Sequence, residues 1–202
     1  MEEIRIIEKP DWITWQQVQD CITTAQRTNN KKGFDMLFGH NSAEQLKKAV
    51  GDGYCYVALN ADNKVVGTVS LIISEINHWW YKGKAGLQGY EGILPEYRGS
   101  DVYFDLHDKI DEKQKELGVE VLWASTAEKN KVVIKACMLQ GWKVVQYSPT
   151  GKGATYYSYI FAKWLNGCPH SDKRINFMFK LSKIVVKALY KPGKILRIYF
   201  WK

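Results

Sequence analysis

The amino-acid sequence predicts a layered α/β domain that continues into a basic, amphipathic C-terminal extension. Runs with strand periodicity alternate with runs that place apolar residues at helical spacing over residues 3–165. A hydrophobic fraction of 46% over 202 residues is sufficient for one packed core. The net charge of +8 is carried entirely by residues 170–202, so the remainder of the chain is electrically neutral.

The first half of the chain predicts three strands and two helices, followed by a glycine-containing strand. EIRIIEK alternates as a short strand does, and a helical pattern follows Asp11, a residue type that caps helices. Asn41 or Ser42 is predicted to cap a second helix, AEQLKKAV, which ends near Gly51. YCYVALNADNKVVGTVSLIIS contains two β-rich runs joined by turn formers, which predicts a hairpin. AGLQGYEGIL is then a strand that contains three glycines.

The second half predicts a helix, a central strand, a further helix and a final antiparallel pair. The first of these helices has one apolar face, formed by Val102, Leu106, Ile110 and Leu117. Gly118 marks its end, and the apolar run VEVLWAS is typical of a central strand. Asn130 opens the helix KVVIKACMLQ, and WKVVQYS and TYYSYIFAKWL form the pair that follows.

Composition also limits the compartment and the cofactors. The N-terminus lacks the apolar run of a signal peptide, and no segment offers the roughly 18 apolar residues of a membrane span. The four cysteines, Cys21, Cys55, Cys137 and Cys168, lie far apart without metal-site spacing. The sequence therefore predicts a cytoplasmic protein with reduced thiols, no disulfide framework and no metal site.

Two local motifs carry a family resemblance. The first is a V-x-P-x-[YF]-R-G run before a helix, matched by Ile93, Pro95, Tyr97, Arg98 and Gly99. The second is an N-x-x-A-x-x-x-Y-x-x-x-G-F pattern, matched with three substitutions by Asn130, Val133, Cys137, Gly141 and Trp142. Over residues 3–165 the chain resembles the GNAT superfamily of N-acetyltransferases, which transfer an acyl group from acyl-CoA to an amine.

The resemblance implies a GNAT-like α+β fold, in which helices cover both faces of a mixed, mostly antiparallel central sheet. It divides the chain into a GNAT-like acyltransferase domain at residues 1–167 and a basic amphipathic extension at residues 168–202. It also implies acetyl-CoA as the acyl donor. The implied cofactor-binding residues are Ile93, Arg98, Gly99, Ser100, Asp101, Val102, Tyr103 and Asn130.

The phosphate-binding loop of this family reads [QR]-x-x-G-x-[GA], because a helix N-terminus offers unpaired amides and glycines allow a phosphate to approach closely. Arg98 matches the first position, but Asp101 and Tyr103 replace the two small residues. An Asp101 carboxylate about 4 Å from a phosphate would repel it by roughly 1 kcal/mol in water and about 4 kcal/mol at a surface-like dielectric. Asp101 begins an acidic stripe with Asp105 and Asp108, which points its carboxylate to solvent. Tyr103 either blocks the phosphate or packs beneath it, so a working atypical loop and a loop that has lost CoA are both open.

Two residues are candidates for acid–base chemistry. Glu91, the carboxylate in the glycine-containing strand, is a candidate base for the amine, although exposed strand glutamates are common. Cys137 occupies the position where the family usually has the tyrosine that protonates the leaving thiolate, and its alternative is a small core residue. Tyr147, Tyr156 and Tyr157 are substitutes for that acid on the last strands.

The extension predicts a basic amphipathic helix. Its polar stripe contains Lys173, Asn176, Lys180, Lys183 and Lys187. Its broad apolar remainder contains Phe177, Phe179, Leu181, Ile184, Val185, Ala188 and Leu189. This pattern suits the anionic surface of the inner face of a membrane, docking on the parent domain or a second subunit, or nucleic acid, of which nucleic acid fits the apolar residues least.

Two functions follow from these observations. One is an acyl-CoA-dependent N-acetyltransferase acting on a primary amine of a small molecule or amino sugar, with acetyl-CoA as its donor. The other is a catalytically inactive GNAT-like binding or scaffold protein, attached to a membrane or a partner through its tail. The substituted loop favours the second function, and the retained strand-Pro-Tyr-Arg-Gly order favours the first.

Overall fold

The computed structural model describes residues 3–31, 41–150 and 156–190, which form seven strands and five α helices. The strands are β1 (Arg5–Glu8), β2 (Tyr54–Leu59), β3 (Val65–His78), β4 (Tyr81–Ile93), β5 (Val121–Ala127), β6 (Lys143–Thr150) and β7 (Tyr156–Trp164). The helices are α1 (Trp15–Lys31), α2 (Ala43–Val50), α3 (Val102–Glu116), α4 (Lys131–Leu139) and α5 (Asp172–Leu189). None of these helices is long and apolar enough to cross a membrane.

Hydrogen bonding links the strands in the order β1-β2-β3-β4-β5-β7-β6. β4 and β5 run parallel, whereas the pairs β1–β2, β2–β3, β3–β4 and β6–β7 are antiparallel. The predicted mixed, mostly antiparallel sheet is therefore confirmed.

The described part of the chain divides into two compact units. The first lies within Met1–Trp123 and Trp164–Asn166, and the second lies within Ala124–Lys163 and Gly167–Lys202. The first unit holds β1 to β4, α1 to α3 and the start of β5; the second holds the rest of β5, α4, β6, α5 and most of β7. The domain boundary expected between residues 167 and 168 stays a prediction.

In the first unit, α1 and α3 cover opposite faces of the sheet. A Cβ atom on Gly67 would meet side chains of α3, and a Cβ on Gly92 would meet α1. Gly67 pairs with Ile93, the neighbour of Gly92, and successive strand residues face opposite sides of a sheet. The apolar face predicted for α3 is confirmed, because Val102, Leu106 and Ile110 are buried.

Helix starts follow local capping chemistry. Ser42 caps α2 as predicted, since its hydroxyl accepts from the backbone N–H of Gln45 and the Gln45 side chain accepts from the N–H of Ser42. The prediction that Asp11 caps α1 is wrong. α1 begins at Trp15, and the Thr14 hydroxyl accepts from the N–H of Gln17 at 3.2 Å. The side-chain oxygen Oε1 of Gln17 in turn accepts from the backbone N–H of Thr14 at 2.8 Å, so the cap lies three residues later than expected.

β4 contains a bulge next to its glycines. Tyr90 and Glu91 lie opposite the single residue Val69 of β3, and Tyr90 adopts a φ of 51°. A Cβ on Gly92 would lie 2.9 Å from Cα of Ile22 in α1, whereas Gly89 has no neighbour closer than 3.9 Å. Close packing of α1 therefore accounts for Gly92 in structural terms.

Gly92→Ala is expected to lower the free energy of unfolding by about 1–3 kcal/mol, because the methyl group forces the α1 backbone away from the sheet. Gly89→Ala is the matched control on the same strand and should change the stability by less than about 0.5 kcal/mol. Urea unfolding of both variants measures the difference. Equal losses at the two positions would contradict the packing explanation.

In the second unit, one face of α5 packs on β6 and on its neighbour β7. Ile175 is buried, and the Phe179 ring meets the Tyr159 ring edge-on at 5.3 Å. The Ser182 hydroxyl accepts from the backbone N–H of Tyr147 at 3.0 Å. The start of the predicted extension is thus a helix packed within its own unit. Residues 191–202, the last part of the predicted extension, lie outside the described residues.

Candidate active site

The segment that follows β4 forms a tight turn and then a helix. β4 ends at Ile93, residues Pro95–Tyr97 form a short 3-10 turn, and α3 begins at Val102. Gly99 has a φ of 83°, while a Cβ added there would meet no atom within 4 Å. Glycine is therefore favoured at this position by backbone conformation, and the space above it is open.

Arg98 holds this turn against two neighbouring elements. Its guanidinium donates to the carbonyl of Ala25 in α1 at 2.6 Å and to the carbonyl of Ile93 at 3.2 Å. Both acceptors are neutral carbonyl groups, and the two contacts tie the turn between β4 and α3 to α1 and to the end of β4. The predicted phosphate contact of Arg98 stays a prediction, since the same side chain also orders the backbone.

The backbone N–H groups in the first turn of α3 point along the helix axis, and no side chain of the N-cap residue accepts a hydrogen bond from them. Asp101 is the N-cap residue and makes no side-chain capping hydrogen bond, and the Ser100 hydroxyl donates instead to the carbonyl of Tyr97 at 2.6 Å. Asp101, Asp105 and Asp108 are exposed, as the acidic stripe predicted. Partial burial raises the pKa of Asp105, and the charges of Asp101 and Asp108 raise it further.

Tyr103 packs against a buried histidine that the sequence analysis did not single out. Its ring centroid lies 4.0 Å from that of His107, one helical turn later, with an interplanar angle of 37°. Its hydroxyl oxygen is buried as well. The tyrosine ring is thus part of the packing between α3 and β4, which gives a structural reason for a large residue at this position of the loop.

His107 and Glu91 form a polar pair beneath the start of α3. Nε2 of His107 lies 3.1 Å from Oε2 of Glu91, in a hydrogen bond that the carboxylate accepts, and the side-chain amide nitrogen of Gln88 lies 3.1–3.2 Å from both ring nitrogens of His107. The His107 side chain is 4% exposed and that of Glu91 is 27% exposed. Glu91 is therefore the member of the pair that reaches solvent, and His107 orients its carboxylate from within the unit.

The sequence contained one signal for this pair. His107 follows Leu106 on the face of α3 that carries the apolar residues, and a polar residue on a buried face needs a partner. Its partner lies sixteen residues earlier in a different element, which periodicity within one helix does not reveal.

Asn130 and Cys137 belong to the second unit. Asn130 is the N-cap residue of α4, and its side-chain amide donates to the Thr126 hydroxyl at 3.2 Å. Cys137 lies within α4 and is 5% exposed. The roles implied for these two residues stay predictions.

Tyr147, a proposed substitute acid, is also buried in the second unit. Its hydroxyl donates to Oε2 of Glu128 at 2.8 Å. Burial and that hydrogen bond raise the pKa of Tyr147 above the usual value of a tyrosine, so it gives up its proton less readily. This shift makes Tyr147 a weaker candidate for the acid than a residue with an ordinary pKa.

Among the predicted residues, the first unit therefore brings together Glu91, Ile93 and the segment from Arg98 to Tyr103. They lie on the end of β4, the following turn and the first turn of α3. A candidate base and a helix N-terminus thus flank one short stretch of chain, which is an arrangement suited to proton transfer beside a bound anionic group.

No protein-family model and no curated protein matches the sequence. The structure is similar to a GNAT-family acetyltransferase from Staphylococcus aureus Mu50, with a TM-score of 0.61, 16% identity, and coverage of 81% of this chain and 99% of that chain. It is similar to a putative acetyltransferase from Acinetobacter baylyi ADP1, with a TM-score of 0.64, 15% identity and coverage of 85% and 98%. It is also similar to a chain of the NatC complex bound to Gag peptide and CoA, with a TM-score of 0.60, 12% identity and coverage of 81% and 99%. The predicted fold is confirmed: the chain has the fold of the GNAT-family acetyltransferases.

Proposed function

We propose that this chain, which has the GNAT fold, is an acetyl-CoA-dependent N-acetyltransferase of the cytoplasm. Its acceptor is a primary amine of a small molecule or amino sugar. The start of α3 carries the proposal. There a helix of 15 residues opens after β4 and a turn that contains Arg98 and Gly99, and its N-cap residue Asp101 makes no side-chain capping hydrogen bond. Such a helix start suits a pyrophosphate, because it combines unpaired amides with the positive end of the helix dipole.

Each residue then has a defined task. When bound, acetyl-CoA supplies the thioester, and the amides from Gly99 to Tyr103 with Arg98 bind its phosphates. The Glu91 carboxylate accepts a proton from the ammonium group of the acceptor, so that the nitrogen lone pair can attack the thioester carbonyl. The carbon–sulfur bond breaks as the carbon–nitrogen bond forms; the nitrogen releases its second proton to water, and the departing sulfur takes a proton, so that the products are the amide and the free thiol of CoA. Cys137 is the donor of that proton by resemblance to the family, and Asn130 is a cofactor-binding residue on the same basis.

Binding of acetyl-CoA by itself tests the proposal, because it requires no knowledge of the acceptor. Calorimetric titration of the full chain should give saturable binding in the micromolar to millimolar range that is typical of enzyme substrates. Release of the CoA thiol should then accelerate with at least one of glucosamine, spermidine and a dipeptide that has a free N-terminus. A chain that fails to bind acetyl-CoA at millimolar concentration is not an acetyl-CoA-dependent enzyme.

Arg98→Ala should weaken acetyl-CoA binding about tenfold, because the variant lacks the positive charge beside the phosphates. Arg5→Ala is the matched control, since Arg5 is an exposed arginine whose guanidinium donates to the Asn63 side chain. The control should bind acetyl-CoA as the original chain does. Melting temperatures of both variants separate lost affinity from a disturbed turn, because Arg98 also binds the Ala25 carbonyl. Unchanged affinity in Arg98→Ala would remove Arg98 from the proposed site.

The second candidate function is a catalytically inactive protein with the same fold, attached to a membrane or a partner through its extension. The observation that favours it is the packing of Tyr103 on His107, because a ring now stands where the family loop has a small residue. The acetyl-CoA titration distinguishes the two functions. Absence of binding together with a stable fold favours the inactive protein.

A further inference from the structure

Only one side of helix α5 is covered by other described residues of its own unit. The side chains that face β6 include Ile175, Phe179 and Ser182, which recur at helical spacing. Lys183 lies at the border of this face, with its Nζ 5.3 Å from the centroid of the Tyr147 ring. The apolar residues predicted to form one broad side of the helix therefore lie on two sides. Phe179 packs inward, whereas Phe177 and Leu181 are exposed.

The opposite side of α5 is apolar and exposed. We call it the outer apolar face; it comprises Phe177, Leu181, Ile184, Val185, Ala188 and Leu189. Phe177 is 64% exposed and Ile184 is 66% exposed, and a contiguous exposed apolar surface of this kind marks an interaction site. Phe177, Leu181, Ile184 and Ala188 recur at the spacing of a single helical stripe, so the face runs along most of the helix.

One edge of this face is lined by lysines. Lys173, Lys180 and Lys187 repeat every seven residues, which separates neighbours by roughly 10 Å along the helix. Lys180, Lys183, Ile184 and Lys187 line a shallow depression of about 340 Å³. The helix carries five basic residues and a single acidic residue, Asp172, which lies at its N-terminal end and pairs with Lys143 at 3.0 Å.

We propose that the outer apolar face of α5 docks on an anionic membrane surface. The apolar side chains would enter the boundary between headgroups and acyl chains, and the lysine edge would lie level with the phosphates. Each cation near the headgroups strengthens binding by about fivefold. The sequence continues the positive charge past the helix with Lys191, Lys194, Arg197 and Lys202.

A nucleic acid and a second copy of the chain both fit this surface less well than an anionic membrane does. Nucleic acid would neutralise the lysines but would leave Phe177, Leu181 and Ile184 in water. A second copy of the chain would cover the apolar face, but an antiparallel pair of α5 helices would bring the two lysine edges against each other. An anionic bilayer satisfies the apolar side chains and the charges together.

Co-sedimentation of the full chain with vesicles tests this inference. The chain should bind vesicles made of equal parts of phosphatidylcholine and phosphatidylglycerol, and it should bind pure phosphatidylcholine at least about tenfold more weakly. High salt, which shortens the Debye length toward about 3 Å, should release much of the protein but leave a resistant fraction held by the apolar face. Failure of the full chain to bind the anionic vesicles at low salt would overturn the proposal.

Matched variants assign the binding to the two parts of the surface. Ile184→Asp and the double change Lys180→Glu with Lys187→Glu should each weaken binding to anionic vesicles by about tenfold or more. The controls are Leu139→Asp on α4, where the side chain is 72% exposed, and Lys47→Glu with Lys48→Glu on α2. Both controls should stay within about twofold of the original chain if the surface on α5 is the site. Equal losses in the controls would show that vesicle binding is unspecific and would also overturn the proposal.

Sedimentation velocity and titration with a short DNA duplex complete the test. If the full chain is a dimer that Ile184→Asp converts to a monomer, the outer apolar face is a subunit interface and the membrane proposal is wrong. If the lysine variants lose affinity for the duplex while vesicles do not bind at all, the partner is nucleic acid. Neither measurement depends on acetyl-CoA, so these experiments test the membrane proposal independently of the proposed enzyme activity.

Discussion

Glu91→Gln is expected to lower the rate of CoA release from acetyl-CoA by about a hundredfold or more, because general base catalysis contributes about 10²- to 10⁴-fold. Glutamine has the same size and keeps a hydrogen-bonding group beside His107, but it cannot accept the proton of the ammonium group. Affinity for acetyl-CoA should stay within about threefold, since the change removes an interaction needed only in the reaction. The assay uses whichever of the three test amines gives the highest rate, and calorimetry measures the affinity.

His107→Gln separates catalysis from packing at the same pair. The substitution keeps a donor for Glu91 but removes the imidazole ring that packs on Tyr103. If His107 positions the base, the pH–rate profile should change shape while the melting temperature changes little. His170→Gln is the matched control in the second unit and should leave the profile unchanged.

For the Glu91→Gln variant, a rate above about a third of the original rate would mean that the base lies elsewhere.

Phe179→Ala should lower the free energy of unfolding by about 2–3 kcal/mol, somewhat less than for a fully buried phenylalanine. The Phe179 ring meets Tyr159 of β7 at 5.3 Å and Tyr147 of β6 at 6.5 Å, so its removal leaves a gap between α5 and these two strands. Urea unfolding measures the loss, and Phe177→Ala is a control two residues away on the same helix. Because Phe177 is exposed, its removal should change the stability by less than about 0.5 kcal/mol.

The two phenylalanines should respond in opposite ways when vesicle binding is measured. Phe177→Ala removes part of the outer apolar face, so it should weaken binding to anionic vesicles, whereas Phe179→Ala should leave binding unchanged at temperatures where the chain is folded. Full-length variants are needed for this comparison. A chain truncated before α5 would lose Ile175 and Phe179 from the packed face and would confound stability with binding. A larger stability loss at Phe177 than at Phe179 would contradict the orientation of α5 described above.

The sequence by itself determined the order of the elements and much of their local chemistry. Period-two and helical patterns predicted each strand and helix, because side-chain direction repeats along one element without reference to any other. The cap at Ser42, the left-handed glycines at Gly118 and Gly141, and the exposed acidic stripe on α3 are likewise set by neighbouring residues. The two motifs around Arg98 and Asn130 indicated the GNAT fold, and the structure confirms that fold.

Only the tertiary structure decided which side chains meet. Glu91 contacts His107 and Arg98 binds the carbonyl of Ala25, which lies 73 residues away. Such contacts depend on how β4, α1 and α3 pack, and the pattern within any one element leaves its partner undefined. The same reason applies to α5, where composition predicted one broad apolar side. Packing on β6 divides it into a covered face with Phe179 and an exposed face with Phe177, because burial is settled by the neighbouring surface rather than by the apolar character of the residue.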